Sequence, residues 1–366
     1  MVAVSEIPWL APARSALAAL AARGVHAMLL HGPSGTGKWN LALSFARDVL
    51  CEQARPPAPA CGHCHSCLLF AAGNHPDLRV TVPDALAHRR PAPSTEEAEE
   101  GAVEGEEAGR EGGRTKARPS REIRLVQVQE LAALAGLSAH RGGTRVVVLG
   151  PAESLNDESA NALLKGLEEP PPDSLFVLVS DQLDRCLPTI VSRCALVRVA
   201  LPAQEAALAW LQAQGLASTM AATRLAAAGG APLRALADDA AQSEGEVLAT
   251  LLGLLRRGPT LTPAEVAAAV PRTVVIGSAV DLFQRWAWDY FSYRLGGTVR
   301  YHPDAVASFT ALSRHWSSQA AGAWVDSLLS LKAVAEHPLN ARSAVEGALL
   351  EYISSVSGPG AGNCQA

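Results

Sequence analysis

Four cysteines that lie close together carry the clearest chemical signal in this sequence. Within the stretch CEQARPPAPACGHCHSC they are Cys51, Cys61, Cys64 and Cys67. Two successive C-x-x-C steps are typical of a metal-binding knuckle, and a cysteine at the end of the preceding helix can complete a tetrahedron. Because four thiolates leave no open coordination position, the pattern predicts a structural zinc and not a catalytic one. His63 and His65 occupy intervening positions and are alternative ligands.

A glycine-rich stretch, LLHGPSGTGKWNLAL, lies between a short apolar run and a segment with apolar residues at helical spacing. It fits the pattern G-x-x-x-x-G-K-[S/T] except at the final position, and the residues that fit are Gly32, Gly35, Gly37 and Lys38. In a working phosphate-binding loop, the hydroxyl after the lysine holds Mg²⁺. Trp39 stands at that position and has no oxygen to offer. Weak binding of nucleotide through Lys38 and the backbone N–H groups stays open, as does a purely structural loop.

A second metal ligand is expected as an acid at the end of the next central strand. That strand is the run RVVVL, and Gly150 and Pro151 follow it. The nearest acid, Glu153, lies four residues beyond Leu149 and is predicted to start the following helix. The metal-binding hydroxyl, the metal-binding acid and the acid that polarises water are therefore all missing. Three losses at one site predict that this chain does not hydrolyse ATP.

One arginine has the chemistry to stabilise phosphoryl charge. Arg193 stands in the stretch LPTIVSRC, just after the apolar run SLFVLVS. A planar guanidinium that stays protonated is suited to a phosphate. Taken alone, such an arginine is expected to form a surface ion pair.

The elements that must position these residues alternate between strands and helices over roughly the first 200 residues. Apolar runs HAMLLHG, TRVVVLGP and SLFVLVS predict buried strands, and ESANALLKGLEE predicts a helix that ends at Pro170. This alternation predicts an α/β domain with a mostly parallel sheet over residues 1–200, including the zinc module at 51–67. Strand signals fade beyond it, which predicts a small helical domain at 201–242 and a larger one at 243–366.

Residues 84–121 interrupt this order. The segment holds a cluster of glutamates followed by arginine and lysine, with glycine and proline but no aromatic residue. Such a composition cannot bury enough apolar area to offset the entropy of ordering, so the segment is predicted to be a disordered acidic insertion. A tolerated surface insertion is favoured over an interaction arm, because loops accept added length at small cost.

Charge and composition limit the classes of protein that remain. The formal net charge is −5 and the isoelectric point is near 6.1, so there is no overall basic field, and contact with nucleic acid must come from a local patch or from partners. The N-terminus lacks the features of a signal peptide, and no apolar run is long enough to span a membrane. Clustered cysteines in such a chain indicate metal and not disulfides. The sequence predicts a soluble, cytoplasmic protein.

Several stretches, taken in order, resemble one family: the AAA+ clamp-loader subunits of bacterial DNA polymerase III. The stretches are IPWLAPARSALAALAARGVHAMLLHGPSGTGK, the zinc cysteines, GNHPDL, NALLKGLEEPP, LPTIVSRC, GGAPLRAL and HPLNARSAVEGALLEY. Motor subunits of the tau/gamma branch keep a loop Ser or Thr and an Asp-Glu pair. Trp39, Gly150 and Pro151 instead resemble the delta-prime branch, whose nucleotide motifs are degenerate but which retains SRC. The acidic insertion departs from the family pattern.

The resemblance implies an AAA+ P-loop domain, a helical lid at 201–242 and a helical collar at 243–366 that mediates oligomerisation. It implies a non-hydrolysing stator in a ring of five subunits, with tau/gamma and delta as partners and with the sliding clamp and primer-template DNA reached through the complex. Arg193 would be an arginine finger for a neighbouring tau/gamma ATP site, acting in trans. Arg234 matches a lid arginine that can face nucleotide. DNA polymerisation would belong to other subunits.

Two rival interpretations remain. The chain could be an active ATPase motor of the tau/gamma type with an unusual metal site, in which case the purified chain would hydrolyse ATP through Lys38. It could instead be a zinc-dependent nucleic-acid-binding module with a vestigial loop, but the zinc loop carries few cations.

Overall fold

The computed structural model of the chain describes residues 7–91, 120–129, 143–236, 242–335 and 340–357. It divides into two compact units, Met1–Pro202 and Ala203–Ala366. None of the described helices combines the length and the apolar composition that crossing a bilayer requires.

A parallel sheet forms the centre of the first unit. Its strands among the described residues are β1 (Ala27–His31), β2 (Leu78–Thr81), β3 (Arg145–Leu149), β4 (Ser174–Ser180) and β5 (Ala195–Arg198). Their order across the sheet is β2-β3-β4-β1-β5, and every pair is parallel. The predicted α/β fold with a parallel sheet is therefore confirmed. Because all the strands run the same way, the loops after β1, β3 and β4 meet at one edge, where α/β proteins bind ligands.

The strands form because they are nearly continuous runs of aliphatic residues, as is typical of a parallel sheet that is covered on both faces. All five residues of β3 are buried, as are six of the seven in β4. The helices of this unit among the described residues include α1 (Ala11–Ala22), α2 (Lys38–Leu50), α3 (His65–Ala71), α4 (Asp157–Glu168) and α5 (Pro188–Val191).

Helix α4 has clear boundaries in the sequence. The side chain of Asn156 accepts the N–H of Ser159 and caps the first turn, where Asp157 and Glu158 also favour the positive end of the helix dipole. The helix ends at Glu168, just before three prolines that cannot continue it.

The start of the predicted disordered insertion is wrong, because its first residues are ordered. Asp84–Arg89 forms a 3-10 helix, and the N–H of Ala85 donates to the carbonyl of Ser120 at 2.9 Å. The carbonyl of Arg89 accepts from the indole of Trp39. The bond from Trp39 ties the segment to the folded domain, and the bond between Ala85 and Ser120 joins its two ends. Both offset the entropy cost of ordering, which composition alone does not take into account. Residues 92–119 lie outside the described residues.

The described elements of the second unit are all helical, as predicted. They are α6 (Gln204–Ala213), α7 (Ser218–Ala227), α8 (Pro232–Leu236), α9 (Gln242–Arg257), α10 (Pro263–Ala269), α11 (Ile276–Gly296), α12 (Val306–Leu312), α13 (Ser318–Ala333) and α14 (Ala341–Ser357).

Aromatic side chains fill the core of this unit. Trp286 and Phe309 have ring centroids 4.5 Å apart, and so do Tyr290 and Trp316. Such large rings remove more apolar area from water than any other side chains. Division of this unit into a lid at 201–242 and a collar at 243–366 stays a prediction.

Candidate functional site

The four predicted metal ligands come together in one cluster. The Sγ atoms of Cys51, Cys61, Cys64 and Cys67 all lie within 4.8 Å of one another. The Cys51–Cys64 and Cys61–Cys67 sulfur pairs are each 4.0 Å apart, too far for disulfides. This spacing is close to the ~3.8 Å that separates the corners of a tetrahedron with metal–sulfur bonds of about 2.3 Å. The cluster can hold one tetrahedral metal ion.

Local helix geometry places these thiols. Cys51 directly follows α2, and Cys64 is the N-cap of α3, where its sulfur accepts the N–H of Cys67 at 3.4 Å. The two histidine side chains between the cysteines are exposed, and Nδ1 of His63 lies 2.9 Å from the carbonyl oxygen of Cys61. The geometry therefore favours the cysteines over His63 and His65 as ligands.

Backbone N–H groups stabilise negative charge on the sulfurs. Sγ of Cys51 accepts from Ala54 at 3.3 Å and from Cys61 at 3.4 Å. Burial opposes ionisation of Cys51, but the N–H donors outweigh it and lower the pKa of this thiol to about 6. Burial and the neighbouring sulfurs raise the pKa of Cys67 to about 12. Four thiolates so close together repel one another, so full ionisation of the cluster needs a bound cation.

Polar contacts fix the knuckle against the rest of the domain. The carboxylate of Asp48, on α2, accepts the N–H of Ala60 at 2.8 Å and an Nη of Arg14 at 2.7 Å. The hydroxyl of Ser66 donates to the carbonyl of Leu50 at 2.6 Å and lies 2.6 Å from Nε2 of His75. A bound metal would hold α2, α3 and the loop between them together.

The glycine-rich loop keeps the backbone shape of a phosphate-binding loop. Gly32, Gly35 and Gly37 all have positive φ, a region that L side chains rarely adopt. At Gly32 a Cβ would stand 2.1 Å from the carbonyl oxygen of Val199, so only glycine fits. Strand β1, loop and α2 follow in the order that the sequence predicts.

The amine of Lys38 is held entirely by the chain's own oxygens. Its Nζ lies 2.7 Å from the carbonyl oxygen of Gly32, 2.6 Å from that of Pro33 and 2.6 Å from Oδ1 of Asp181. These contacts match the three donors of an ammonium group. Lys38 is only 2% exposed. Burial lowers the pKa of Lys38, while the adjacent carboxylate of Asp181 acts in the opposite direction.

Asp181 was missed by the sequence analysis. It is the first residue after β4, and the sheet order places that strand next to β1, which leads into the loop. Its N–H donates to Oε1 of Glu153 at 3.0 Å. Glu153 does not start α4 as predicted, because it lies in a separate 3-10 turn, Ala152–Ser154. An acid directly after a strand at the carboxyl edge of the sheet is the signal that could have identified Asp181.

Trp39 occupies space at the position where the acidic metal ligand was expected. Its Nε1 donates to the carbonyl of Arg89 at 3.1 Å. Its Cζ3 atom lies 3.2 Å from the point where a Cβ at residue 150 would stand, and Val179 is closer still, at 3.0 Å. Gly150 is therefore the residue that leaves room for the indole. The two departures from the motif, Trp39 and Gly150, therefore lie side by side.

Arg193 lies at the surface just beyond α5. Its Nε donates to Oε1 of Glu168 at 2.6 Å, and its Nη2 forms an ion pair with the same oxygen. Its Nη1 donates to the carbonyl of Thr189 at 3.0 Å. The side chain is 35% exposed. The expected surface ion pair is present, but the sequence analysis did not identify Glu168 as its partner. Arg234, the other candidate arginine, is exposed on α8 in the second unit.

Comparisons with known proteins agree on one relationship. The model of a family described as "DNA polymerase III, delta subunit" matches residues 17–202. The chain is 36% identical over 282 residues to the DNA polymerase III subunit delta' of Pseudomonas aeruginosa. This match covers 75% of this chain and 74% of that protein. It is 34% identical over 235 residues to the Escherichia coli subunit delta', and that match covers 63% of this chain and 60% of that protein.

Among solved structures, a DNA polymerase III gamma subunit-related protein from Thermotoga maritima is similar at 15% identity. The match covers 93% of this chain and 99% of that chain, with a TM-score of 0.43. Because this TM-score is low, the relationship rests on the family model and on the sequence identity to the delta' subunits.

Proposed function

The chain belongs to the delta-prime family of DNA polymerase III subunits, and from this membership we propose that it is the non-hydrolysing stator of a clamp loader. In this role it joins tau/gamma and delta subunits in a ring of five. Through that ring it helps to place the sliding clamp on primer-template DNA. It works in the cytoplasm alongside the replication machinery.

The proposal that this chain does not hydrolyse ATP rests on the contacts that Lys38 and Trp39 make in the glycine-rich loop. Catalysis of phosphoryl transfer needs a metal ion and a lysine that reaches the phosphates. In this chain the lysine amine is bound to Gly32, Pro33 and Asp181, and Trp39 fills the space beside Gly150. Any nucleotide phosphate would have to displace a carboxylate from Lys38. We therefore propose that the loop serves as scaffold.

The proposed role of Arg193 explains why this domain would keep the nucleotide-binding fold without hydrolysing ATP. An arginine supplied in trans stabilises the charge that develops on a transferred phosphoryl group. Such a residue must lie at the surface and at a fixed place on a rigid domain, and Arg193 is partly exposed at the end of a short helix that follows β4. We propose that Arg193 acts on the ATP site of a neighbouring tau/gamma subunit.

The proposed metal in the cysteine cluster is a structural zinc. A donor set of four thiolates suits Zn²⁺, and it leaves no position for a substrate or a reactive water. When bound, the ion supplies a cross-link between α2 and α3. Cys51, Cys61, Cys64 and Cys67 would hold it.

The test of the stator function uses the reconstituted ring. Arg193→Ala is expected to reduce DNA-stimulated ATP hydrolysis at the neighbouring site by about 10-fold or more, since an arginine finger can contribute far more than that. Ring assembly should be unchanged. The matched control is Arg185→Ala, because Arg185 is also exposed and contacts only a glutamine side chain, at 3.4 Å, among the described hydrogen bonds. Unchanged hydrolysis and clamp loading by the Arg193 variant would rule out the finger.

The isolated chain tests the rival motor function. With Mg-ATP alone it is expected to show no turnover above that of a Lys38→Ala variant. Appreciable hydrolysis that depends on Lys38 would identify an active ATPase and would contradict the stator proposal.

A further inference from the structure

We propose that Glu168 is a positioning residue for Arg193: it holds the Nε–Nη2 edge of the guanidinium so that the remaining N–H of Nη2 can reach a phosphate of the neighbouring subunit. The inference rests on the proposed function of Arg193 as a finger in trans. Glu168 would then be a second residue of this chain that contributes to the neighbouring ATP site.

Three neighbouring residues hold the guanidinium. Glu168 engages Nε and Nη2 through one carboxylate oxygen, while Thr189 and Ser192 accept from Nη1, at 3.0 and 3.3 Å. A guanidinium has five N–H donors in a rigid plane, so these contacts account for four of them. The second N–H of Nη2 has no acceptor among the described residues. As a charged donor, it matches a phosphate or carboxylate.

The carboxylate that holds the arginine is itself anchored. Glu168 is the last residue of α4, and Leu163 and Leu167 of that helix are buried in the core beneath the sheet. Three prolines begin just after Glu169 and restrict the backbone there. Arg193, in contrast, follows a helix of only four residues. Glu168 therefore links the arginine to the longer of the two helices.

Stability is a poor explanation for this pair. Both side chains are substantially exposed, 35% for Arg193 and 48% for Glu168, and exposed ion pairs contribute little to folding. A carboxylate at the C-terminal end of a helix is also unfavourable, because that end carries the negative pole of the helix dipole. An effect on the orientation of Arg193 remains. A long side chain that is already fixed in its binding conformation loses less entropy when it meets the phosphate.

The experiment compares variants in the reconstituted ring with its ATPase subunits. Glu168→Ala is expected to lower the kcat of DNA-stimulated ATP hydrolysis about threefold to 10-fold, because a loosely held group contributes less to the transition state. The KM for ATP and ring assembly should not change. Glu168→Gln keeps an oxygen that can accept from Nε and should recover part of the loss. The matched control is Glu169→Ala, which removes the adjacent exposed acid.

A second measurement separates orientation from general damage to the fold. In an Arg193→Ala background, Glu168→Ala should cause no further loss, because a positioning residue acts only through the residue that it positions. A further loss there would overturn the inference, as would an increase in kcat for Glu168→Ala alone, which would identify a restraining contact.

The two proposals fail in different ways. If Arg193→Ala has no effect on hydrolysis, the finger is wrong and Glu168 has nothing to position. If Arg193→Ala reduces hydrolysis and Glu168→Ala does not, the stator function stands and only the role of Glu168 is rejected.

Discussion

Nζ of Lys38 lies 2.6 Å from Oδ1 of Asp181, so a carboxylate of the chain itself is bound where a phosphate-binding loop would direct its lysine to a nucleotide. The pair joins the loop after β1 to the loop after β4. Lys38 is almost fully buried, so its charge needs a partner within the protein, and the carboxylate of Asp181 provides it.

Replacement of Asp181 by alanine is expected to destabilise the first unit. Lys38 would keep two carbonyl acceptors but lose its counter-charge, and burial would lower its pKa further. Breaking a buried pair on one side is costly, although Asp181 is 28% exposed and solvent screens part of the effect. We expect a loss of about 2 kcal/mol in the free energy of unfolding, measured by urea denaturation at pH 7.

Asp184→Ala is the matched control, because Asp184 is exposed in the same loop and has no contact with Lys38 among the described ion pairs. It should change stability by less than about 0.5 kcal/mol. Equal losses for the two variants would show that Asp181 does not compensate Lys38.

Restoring the missing hydroxyl should not restore hydrolysis. Trp39→Ser supplies an oxygen after Lys38, but Gly150 still offers no acid and Asp181 still holds the lysine. The variant is also expected to lose about 2–3 kcal/mol of stability, since the half-buried indole fills the space beside Gly150. The measurements are Mg-ATP turnover by the isolated chain and equilibrium unfolding.

Trp39→Phe separates packing from the hydrogen bond. It keeps an aromatic ring beside Gly150, loses the donor to the carbonyl of Arg89 and gives up only part of the volume of the indole. Its stability should lie between those of the wild type and the serine variant. ATP turnover by Trp39→Ser at a rate that depends on Lys38 would show that the hydroxyl was the only missing group.

Removal of the metal should destabilise the knuckle. Metal analysis of the purified chain is expected to return about one equivalent of zinc, and chelation should lower the unfolding midpoint by at least about 5 °C. Cys64→Ser should reproduce the loss, because it removes a ligand, while the serine hydroxyl can still cap α3.

His63→Ala and His65→Ala should retain the zinc. Both histidines are exposed, and the four sulfurs already form a tetrahedral set. Loss of the metal from either histidine variant, with all four cysteines intact, would require a revised ligand set.

Stability should depend on pH through Cys194. Burial, with a smaller effect of Cys186, raises the pKa of the Cys194 thiol to about 12, above the ~8.5 of an unfolded cysteine. The folded chain thus holds this proton more tightly. The resulting stabilisation is fully present below about pH 8.5 and is lost as the pH rises toward 12.

The measurement is urea denaturation of the wild type and Cys194→Ala between pH 7.5 and 10, with reductant and zinc present. The stability advantage of the wild type over the alanine variant should shrink by about 1–2 kcal/mol over the upper part of that range. Parallel pH profiles for the two proteins would mean that Cys194 does not contribute in this way.

Much of the fold could be predicted from local patterns. Runs such as RVVVL and SLFVLVS predicted β3 and β4, and the order of strand, glycine loop and helix predicted β1 and α2, because burial on both faces requires continuous apolar residues. The spacing of the cysteines predicted that the four thiols come together, since a knuckle is a local structure whose geometry follows from sequence separation. Composition gave the wrong start for the insertion, because it does not register hydrogen bonds to distant residues such as Ser120.

The sequence by itself determined which chemical groups the nucleotide loop lacks and which four thiols meet. Only the tertiary structure decided that Asp181 binds Lys38, that Gly150 makes room for Trp39 and that Glu168 holds Arg193. The first of these contacts depends on the order of the strands, which places β1 beside β4 although the two are far apart in the chain. Hydrophobic periodicity specifies which face of a segment is buried, but not which distant segment lies against it. The partners of charged residues are fixed only when the sheet and its helices assemble.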